Sequence, residues 1–198
     1  MPQVSQREYD ALPLRVHAFL AGVPLHDVWA VDLARTRPGI TLDDFLRVTG
    51  ARLFAPPPVV RGLLNLRFFI GRIFGWDAVP PKAVVSETFA DRLTQADRAS
   101  SLAPAGTRDG PFCIVYRFEN EQLGEVINRT VHAAALTALV ETATGYRFYF
   151  AVYVRSVGRL TPLYMALIDP FRKLIVYPAL LRSVRANWNA NYDHVLGV

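Results

Sequence analysis

Cysteine is almost absent from this sequence, and several common functional signatures are missing altogether. The single cysteine, Cys113, excludes an intrachain disulfide framework and any cysteine-rich metal site. The first residues, MPQVSQREYD, contain no cationic segment followed by an apolar one, so no secretory signal is predicted and we expect a cytoplasmic protein. No glycine-rich phosphate loop follows a strand pattern, and no serine lies in a G-x-S-x-G motif. Phosphate-loop and serine-hydrolase functions are therefore not indicated.

Long hydrophobic runs are also lacking, even in the apolar segment near the C-terminus, residues 160–188. Its longest uncharged stretches, 160–168 and 174–181, are each less than half of the ~20 apolar residues that a membrane-spanning helix needs. Asp169, Arg172 and Lys173 would lie near the centre of the membrane, at a cost of ~2.5–3.5 kcal/mol for each ion. The segment is predicted not to span a bilayer.

The composition is that of a globular protein. Of 198 residues, 52% are hydrophobic and 20% charged, which suits one domain over 1–198, with an N-terminal extension at 1–25 and a loop at 102–111. The net charge of +5 is concentrated between residues 142 and 192, where seven cations stand against one acid, Asp169. This region predicts either a solvated surface or contact with an anionic partner such as a lipid surface. No nucleic-acid partner is predicted, because no recognisable reading module is present.

The C-terminal segment has helical periodicity. Large apolar residues recur every seven positions, and such a stripe stays within the ~100° apolar face of an amphipathic helix over four repeats. Thr161 and Asp169 each precede a proline, the pattern of an N-cap followed by proline at the first helical position. We predict a short helix, a break near Asp169 and a longer helix to about Asn189, bent at Pro178, that together form a buried spine. The residues of the stripe are Leu160, Leu167, Leu174, Leu181 and Trp188.

The first half of the chain predicts a strand and two helices. Residues 26–33, HDVWAVDL, alternate in polarity and are rich in β-branched and aromatic side chains, as in a strand. In residues 40–54, apolar side chains at helical spacing follow Thr41, a favourable N-cap, and predict a helix. The prolines at 56–58 are expected to end that helix. A second helix is predicted over 59–76.

Strands dominate the next part of the sequence. Residues 86–93, SETFADRL, are interpreted as an edge strand and 93–101 as a helical turn. Alternation in 112–119, FCIVYRFE, and in 146–157, YRFYFAVYVRSV, predicts two strands. Residues 128–141 fit either a strand or an alanine-rich helix. A series of antiparallel strands before a long C-terminal helix predicts an α+β domain. Turns are expected at Asn120 and Gly145.

Two segments carry a family resemblance. RVTGARLFAPPPVVRGLLNLRFFIGRIFGW and YVRSVGRLTPLYMALIDPFRKLIVYPALLR resemble the paired-helix and strand-to-helix segments of an uncharacterised bacterial family, domain of unknown function 2867. The order of elements resembles the helix-grip fold of START-like and polyketide-cyclase-like proteins. The resemblance implies a curved antiparallel sheet around a long C-terminal helix, a helix pair after the first strand, and an apolar cavity. It also implies that 128–141 is a strand.

On such a strand, three polar side chains would share one face with small apolar ones. Asn128, Thr130 and His132 alternate, and this arrangement suits a cavity wall with a polar end. The histidine could hold a ligand carbonyl or act as a base; alternatively, the strand faces solvent or the histidine is structural. The predicted ligand-binding residues are Asn128, Thr130, His132, Ala134 and Leu136, with Val126 on the same face.

A second candidate group lies on 146–157. If it faces inward, Tyr149, Tyr153 and Arg155, with Arg147, form an anion-facing wall. The opposite set, Phe148 to Val154, is more apolar, so we expect the tyrosines and arginines to point outward. No metal site or other cofactor is predicted, because His17 and the His26-Asp27 pair have no partners at the spacing that metals require.

Three functions remain open from sequence alone. The first is a soluble protein that binds a small hydrophobic molecule, such as a lipid or an aromatic polyketide-like metabolite, between the sheet and the C-terminal helix. The second is a cyclase- or hydratase-type enzyme that uses the same cavity. The third is peripheral contact with an anionic membrane, because helix 59–76 interleaves arginines with aromatic residues; the same aromatics also suit a core or a cavity gate. The oligomeric state is left open.

Overall fold

A six-stranded antiparallel sheet is the centre of the structure, in the strand order β1-β6-β5-β4-β3-β2. The computed structural model describes residues 3–34, 37–50 and 87–197, with isolated positions between 58 and 75. The strands are β1 (Leu25–Leu33), β2 (Arg108–Asp109), β3 (Phe112–Arg117), β4 (Glu121–Ile127), β5 (His132–Thr142) and β6 (Gly145–Arg155).

Helices cover the sheet. They are α1 (Gln6–Asp10), α2 (Arg15–Phe19), α3 (Leu42–Thr49), a 3-10 turn (Phe89–Arg92), α4 (Gln95–Ser100), α5 (Leu160–Phe171), a π-helical turn (Arg172–Val176) and α6 (Tyr177–Leu196). The predicted α+β class is confirmed, and the sheet with its long C-terminal helix is helix-grip-like. None of these described helices combines the length and the apolar character needed to cross a membrane. The second helix of the predicted pair, 59–76, falls largely outside the described residues.

Both faces of the sheet are buried. On one, which we call the C-terminal face, Phe148, Phe150 and Val152 pack against α3 and α6, as predicted. The other, the N-terminal face, is covered by residues 4–23 and the 3-10 turn. The expectation that Tyr149 and Tyr153 point outward is therefore wrong: they are 3% and 5% exposed. The N-terminal extension covers them, although it has little periodicity of its own.

The C-terminal helix differs from the predicted spine. Thr161 and Asp169 are not N-caps, because α5 begins at Leu160 and continues through Pro170. The interruption is the π-helical turn, which comes after the expected break and before the expected bend at Pro178. A π-helical turn contains more residues than an α-helical turn, so it changes which side chains face the sheet. The seven-residue stripe is consequently split: Leu181 and Trp188 are fully buried, whereas Leu160, Leu167 and Leu174 are exposed.

The first four residues of the predicted strand 128–141 form a hairpin turn instead. β4 ends at Ile127 and β5 begins at His132, so residues 128–131 lie between the strands. The Asn128 side chain stabilises this turn, because its Oδ1 accepts hydrogen bonds from the Thr130 and Val131 amides at 2.9 and 3.0 Å and from the Thr130 hydroxyl at 2.6 Å. Asn128 and Thr130 therefore do not share a strand face with His132.

Local signals explain the remaining elements. Thr41 caps α3, as predicted, and does so through a capping box with Asp44; α3 ends at Thr49 before a left-handed Gly50 (φ 63°), not at the prolines. The predicted edge strand at 86–93 is wrong, because Thr88 caps a 3-10 turn through Asp91. The helical turn over 93–101 is confirmed as α4. Most of 102–111 is loop, but Arg108–Asp109 forms β2.

Candidate functional site

The N-terminal face of the sheet carries a group of buried polar side chains. β4 contributes Glu121 and Glu125, which alternate with Leu123 and so point to the same side. Glu121 and His132 are completely buried, and Glu125 is 6% exposed. Buried carboxylates are costly unless they are hydrogen-bonded, so their partners define the site.

Glu121 caps a helix that is distant in sequence. Its two carboxylate oxygens accept hydrogen bonds from the backbone N–H groups of Arg15 and Val16, at 2.9 and 3.1 Å. These groups begin α2, where the N-cap residue Leu14 has no side chain able to accept them. The Tyr116 hydroxyl donates a third bond at 2.6 Å. Burial raises the pKa of Glu121, and these three donors act in the opposite direction.

Two tyrosines lie beside this carboxylate. The hydroxyl groups of Tyr9 and Tyr153 are hydrogen-bonded at 3.0 Å, and the ring of Tyr9 is also 6.5 Å from that of Tyr149. Burial raises the pKa of Tyr153 to about 12. Burial together with the nearby charge of Glu121 raises the pKa of Tyr116 as well. The phenols are therefore neutral hydrogen-bonding groups at physiological pH.

Glu125 and His132 form the second part of the site. The Nε2 atom of His132 lies 2.5 Å from Oε1 of Glu125, which also accepts the backbone N–H of Phe89 at 2.6 Å. The Phe89 ring lies against the imidazole, with 4.2 Å between ring centroids. In the described part of the chain, Nδ1 of His132 has no hydrogen-bond partner. If Nε2 donates its proton to Glu125, Nδ1 is left as a buried acceptor.

Arg155 lies at the edge of the same site. It is opposite His132 in the β5–β6 register, and its guanidinium carbon is 5.2 Å from the centre of the Phe89 ring. Among the described residues, no carboxylate forms an ion pair with Arg155. Within the described part of the chain, the site therefore has an imidazole in its interior and a cation without a carboxylate partner at its edge.

The structure joins the two predicted groups into one. His132, Tyr149, Tyr153 and Arg155 all lie on the N-terminal face. Ala134 and Leu136 lie there too, but they pack into the core beneath the tyrosines. Sequence reasoning missed four members, although EQLGEVI places two acids at alternate positions of a strand pattern. The missed members are Tyr9, Phe89, Glu121 and Glu125.

The C-terminal face shows side-chain packing where a ligand cavity was predicted. Phe45 stacks on Phe148 with 4.7 Å between centroids, and it lies 5.9 Å from the ring of Trp188. An open cleft of about 890 Å³ lies farther along this face, between α3 and the β2–β3 edge. Its lining is rich in charge, including Asp43, Arg108 and Arg117, and it does not resemble the predicted apolar wall.

A third polar group joins β1 to the end of α5. Nε2 of His26 is 2.8 Å from Oδ2 of Asp169, and Asp27 lies close enough for the three to form a candidate metal-ligand set. Arg172 contacts both carboxylates, at 3.2 Å for Asp27 and 2.8 Å for Asp169, and Lys173 is 3.4 Å from Asp169. These cations occupy the oxygens that a metal ion would need, so the group is an ion-pair network. Burial raises the pKa of Asp27, and the charge of Arg172 opposes that rise.

Comparison with known proteins identifies the family. The family described as Protein of unknown function (DUF2867) matches residues 19–179, a range that includes all six strands and excludes Tyr9 and Arg15. Neither a curated protein nor a solved structure matches the chain. The match confirms the family resemblance of the two segments quoted above. Since it covers most of the sequence, the protein belongs to the DUF2867 family.

Proposed function

We propose that this protein binds a small, largely apolar molecule on the N-terminal face of the sheet, with His132 as its hydrogen-bond acceptor. The observation that carries the proposal is the buried Nδ1 atom of His132, which has no partner in the described part of the chain. More than nine-tenths of buried polar groups in proteins are hydrogen-bonded. A hydroxyl or N–H group of a ligand would satisfy this atom.

The surroundings favour an aromatic or lipid-like ligand with an acidic group. Phe89 supplies an aromatic wall, and the guanidinium of Arg155, which has no ion-pair partner among the described residues, lies 5.2 Å from the centre of that ring. A carboxylate on the ligand would neutralise Arg155, while a hydroxyl group would donate to His132. This is the hydrophobic ligand class expected from the sequence, bound on the opposite face of the sheet from the one predicted.

Entry of a ligand requires the N-terminal layer to open. That layer contains α1 and α2, of five residues each, and a four-residue 3-10 turn. Isolated helices of this length are unstable, so the layer depends on its tertiary contacts. Such segments are the parts of a protein that open at the lowest free energy. Local opening of the 3-10 turn, whose Phe89 lies against the imidazole, would therefore expose His132 without unfolding the sheet.

The Glu125–His132 pair also favours an enzyme as a second candidate. A carboxylate bonded to one imidazole nitrogen orients the ring and fixes which nitrogen carries the proton, as in general-base catalysis. A bound substrate with an acidic proton near Nδ1 would then fit a cyclase- or hydratase-type reaction. The binding site is the same in both candidates.

Anilinonaphthalene sulfonate, an aromatic anion, provides a binding test. His132→Ala removes the Nδ1 acceptor, and His194→Ala is the matched control on an exposed histidine. Native mass spectrometry identifies a co-purified ligand, and circular dichroism checks that both variants fold. We expect His132→Ala to weaken the affinity for that ligand, measured by displacement of the probe, about tenfold. Identical ligand content and affinity in wild type and both variants would contradict the proposal.

A further inference from the structure

One side of α5 and the turn that follows it is apolar and exposed. Six large hydrophobic side chains in the described residues are exposed, and five of them belong to this segment. Pro162, Ala166 and Pro170 are exposed between them and add no charge. We call these five the α5 apolar face: Leu160 (51% exposed), Leu163 (69%), Leu167 (56%), Phe171 (50%) and Leu174 (76%).

The opposite side of α5 is already used for packing. Tyr164, Met165 and Ile168 contact Val131 and Ala133 at the β4–β5 hairpin. The helix is therefore apolar on both sides, but the described residues cover only one of them. A helix that is apolar all round is normally buried all round, so the α5 apolar face calls for an external partner.

The orientation of this face is fixed by contacts at both ends of α5. At its start, Thr161 is buried and accepts the backbone N–H of Val157 at 3.0 Å. At its end, Asp169 binds His26 of β1, and Arg172 binds Asp27. The leucines thus point outward because the other side of α5 is anchored to the sheet.

Charge around the face identifies the kind of partner. Arg159 is exposed directly before Leu160, and Lys173 lies directly before Leu174. Between residues 156 and 192 the only acid in the sequence is Asp169, and its one negative charge is shared among His26, Arg172 and Lys173. A symmetric contact with a second copy would bring these cations against each other. The surface is therefore complementary to negative charge and not to itself.

We propose that the α5 apolar face docks on the surface of an anionic lipid bilayer. Twelve helical residues span about 18 Å, less than the ~30 Å hydrocarbon core, so α5 would lie in the plane of the interface. The leucines and Phe171 would enter the acyl boundary, while Arg159 and Lys173 remain at the level of the lipid phosphates. This binding surface is separate from His132, which lies on the other face of the sheet.

The experiment is co-flotation of the full chain with lipid vesicles. One set contains phosphatidylcholine alone, and the other contains one quarter phosphatidylglycerol. We expect binding to the anionic vesicles, reduced roughly tenfold by the double substitution Leu163→Gln/Leu167→Gln. Leu102→Gln is the matched control, since Leu102 is 57% exposed but lies outside the α5 apolar face, and it should bind like wild type. Arg159→Gln should weaken binding to anionic vesicles only, and added salt should do the same.

Three outcomes would overturn the proposal. If the wild-type protein does not float with either set of vesicles, the α5 apolar face does not bind membranes. Equal binding by the Leu163/Leu167 double variant and by Leu102→Gln would place the contact elsewhere on the protein. If sedimentation instead shows a dimer that the double variant abolishes, without vesicle binding, the face is an interface between copies. Circular dichroism of each variant checks that the helices are retained.

Discussion

Asp97 accepts hydrogen bonds from Nε and Nη2 of Arg15, at 3.1 and 3.0 Å, and so ties α2 to α4 across 82 residues of sequence. The same carboxylate forms a capping box with Thr94 at the start of α4. Burial by itself would raise the pKa of Asp97, but the bonds from Thr94 and Arg15 outweigh it and lower the pKa. Its ionised form is therefore stabilised by folding.

Substitution of Asp97 by asparagine should destabilise the protein by about 1–2 kcal/mol at neutral pH. A lowered pKa contributes stability above the unfolded value of ~4 that is lost as pH falls through the folded value, so the difference from wild type should vanish in acid. Urea unfolding at a series of pH values measures this difference in the free energy of unfolding. Asp91→Asn is the control, because Asp91 forms the same capping box with Thr88 but receives no hydrogen bond from a described arginine. Equal losses for both variants would show that Arg15 contributes nothing.

The buried Glu125–His132 pair should be strongly coupled. Removing either side chain leaves the other buried without its partner, so Glu125→Ala and His132→Ala should each cost ~3–5 kcal/mol. The double variant should cost less than the sum by ~1–3 kcal/mol. The control is the more exposed ion pair between Glu8 and Arg147, whose side chains are 44% and 26% exposed. Its coupling energy in the same double-mutant cycle should be ~0.2–1 kcal/mol. Additive losses at Glu125 and His132 would mean that the 2.5 Å contact does not stabilise the fold.

Short-range signals in the sequence predicted much of the fold. Thr41 lies three residues before Asp44, and this spacing is enough to predict the start of α3. The strict alternation around Phe148 likewise predicted β6, because a strand places alternate side chains on opposite faces. Both features depend on residues that are adjacent or nearly so.

The site depended on contacts that no local pattern encodes. Glu121 caps α2 from more than a hundred residues away, and residues 4–23 cover Tyr149 and Tyr153 without a strong periodicity. The family resemblance implied a strand over 128–141, and residues 128–131 contain no glycine or proline that would have indicated a turn. The π-helical turn at Arg172–Val176 changed the buried side of the C-terminal helix, which a seven-residue repeat could not reveal.

Substitution of Gly124 by alanine tests how tightly the C-terminal face is packed. A Cβ atom at this position would lie 3.1 Å from Cβ of Phe112, closer than normal van der Waals contact. We expect Gly124→Ala to cost roughly 1–3 kcal/mol by overpacking, and less in a Phe112→Gly background, which removes the contacting Cβ atom. Gly158→Ala is the control, since nothing lies within 4 Å of its added Cβ. Thermal unfolding compares them; equal stability of Gly124→Ala and wild type would show that Phe112 moves aside freely.

The last prediction concerns Arg172, which joins α5 to β1. Arg172→Met should leave Asp27 buried without its main cationic partner, at a cost of ~3–5 kcal/mol near neutral pH. Burial already raises the pKa of Asp27, and loss of Arg172 raises it further. A carboxyl with a raised folded pKa favours folding below its unfolded value of ~4, and this contribution is lost as pH rises through the folded value. The variant should therefore recover stability relative to wild type between neutral pH and a pH near the unfolded value of ~4, because Asp27 takes up a proton as pH falls. Lys173→Met is the control, because the ion pair that Lys173 forms among the described residues is with the more exposed Asp169, and it should have a small effect at both pH values. Urea unfolding at the two pH values measures the difference; a loss for Arg172→Met that is the same at both would show that Asp27 does not titrate in this range.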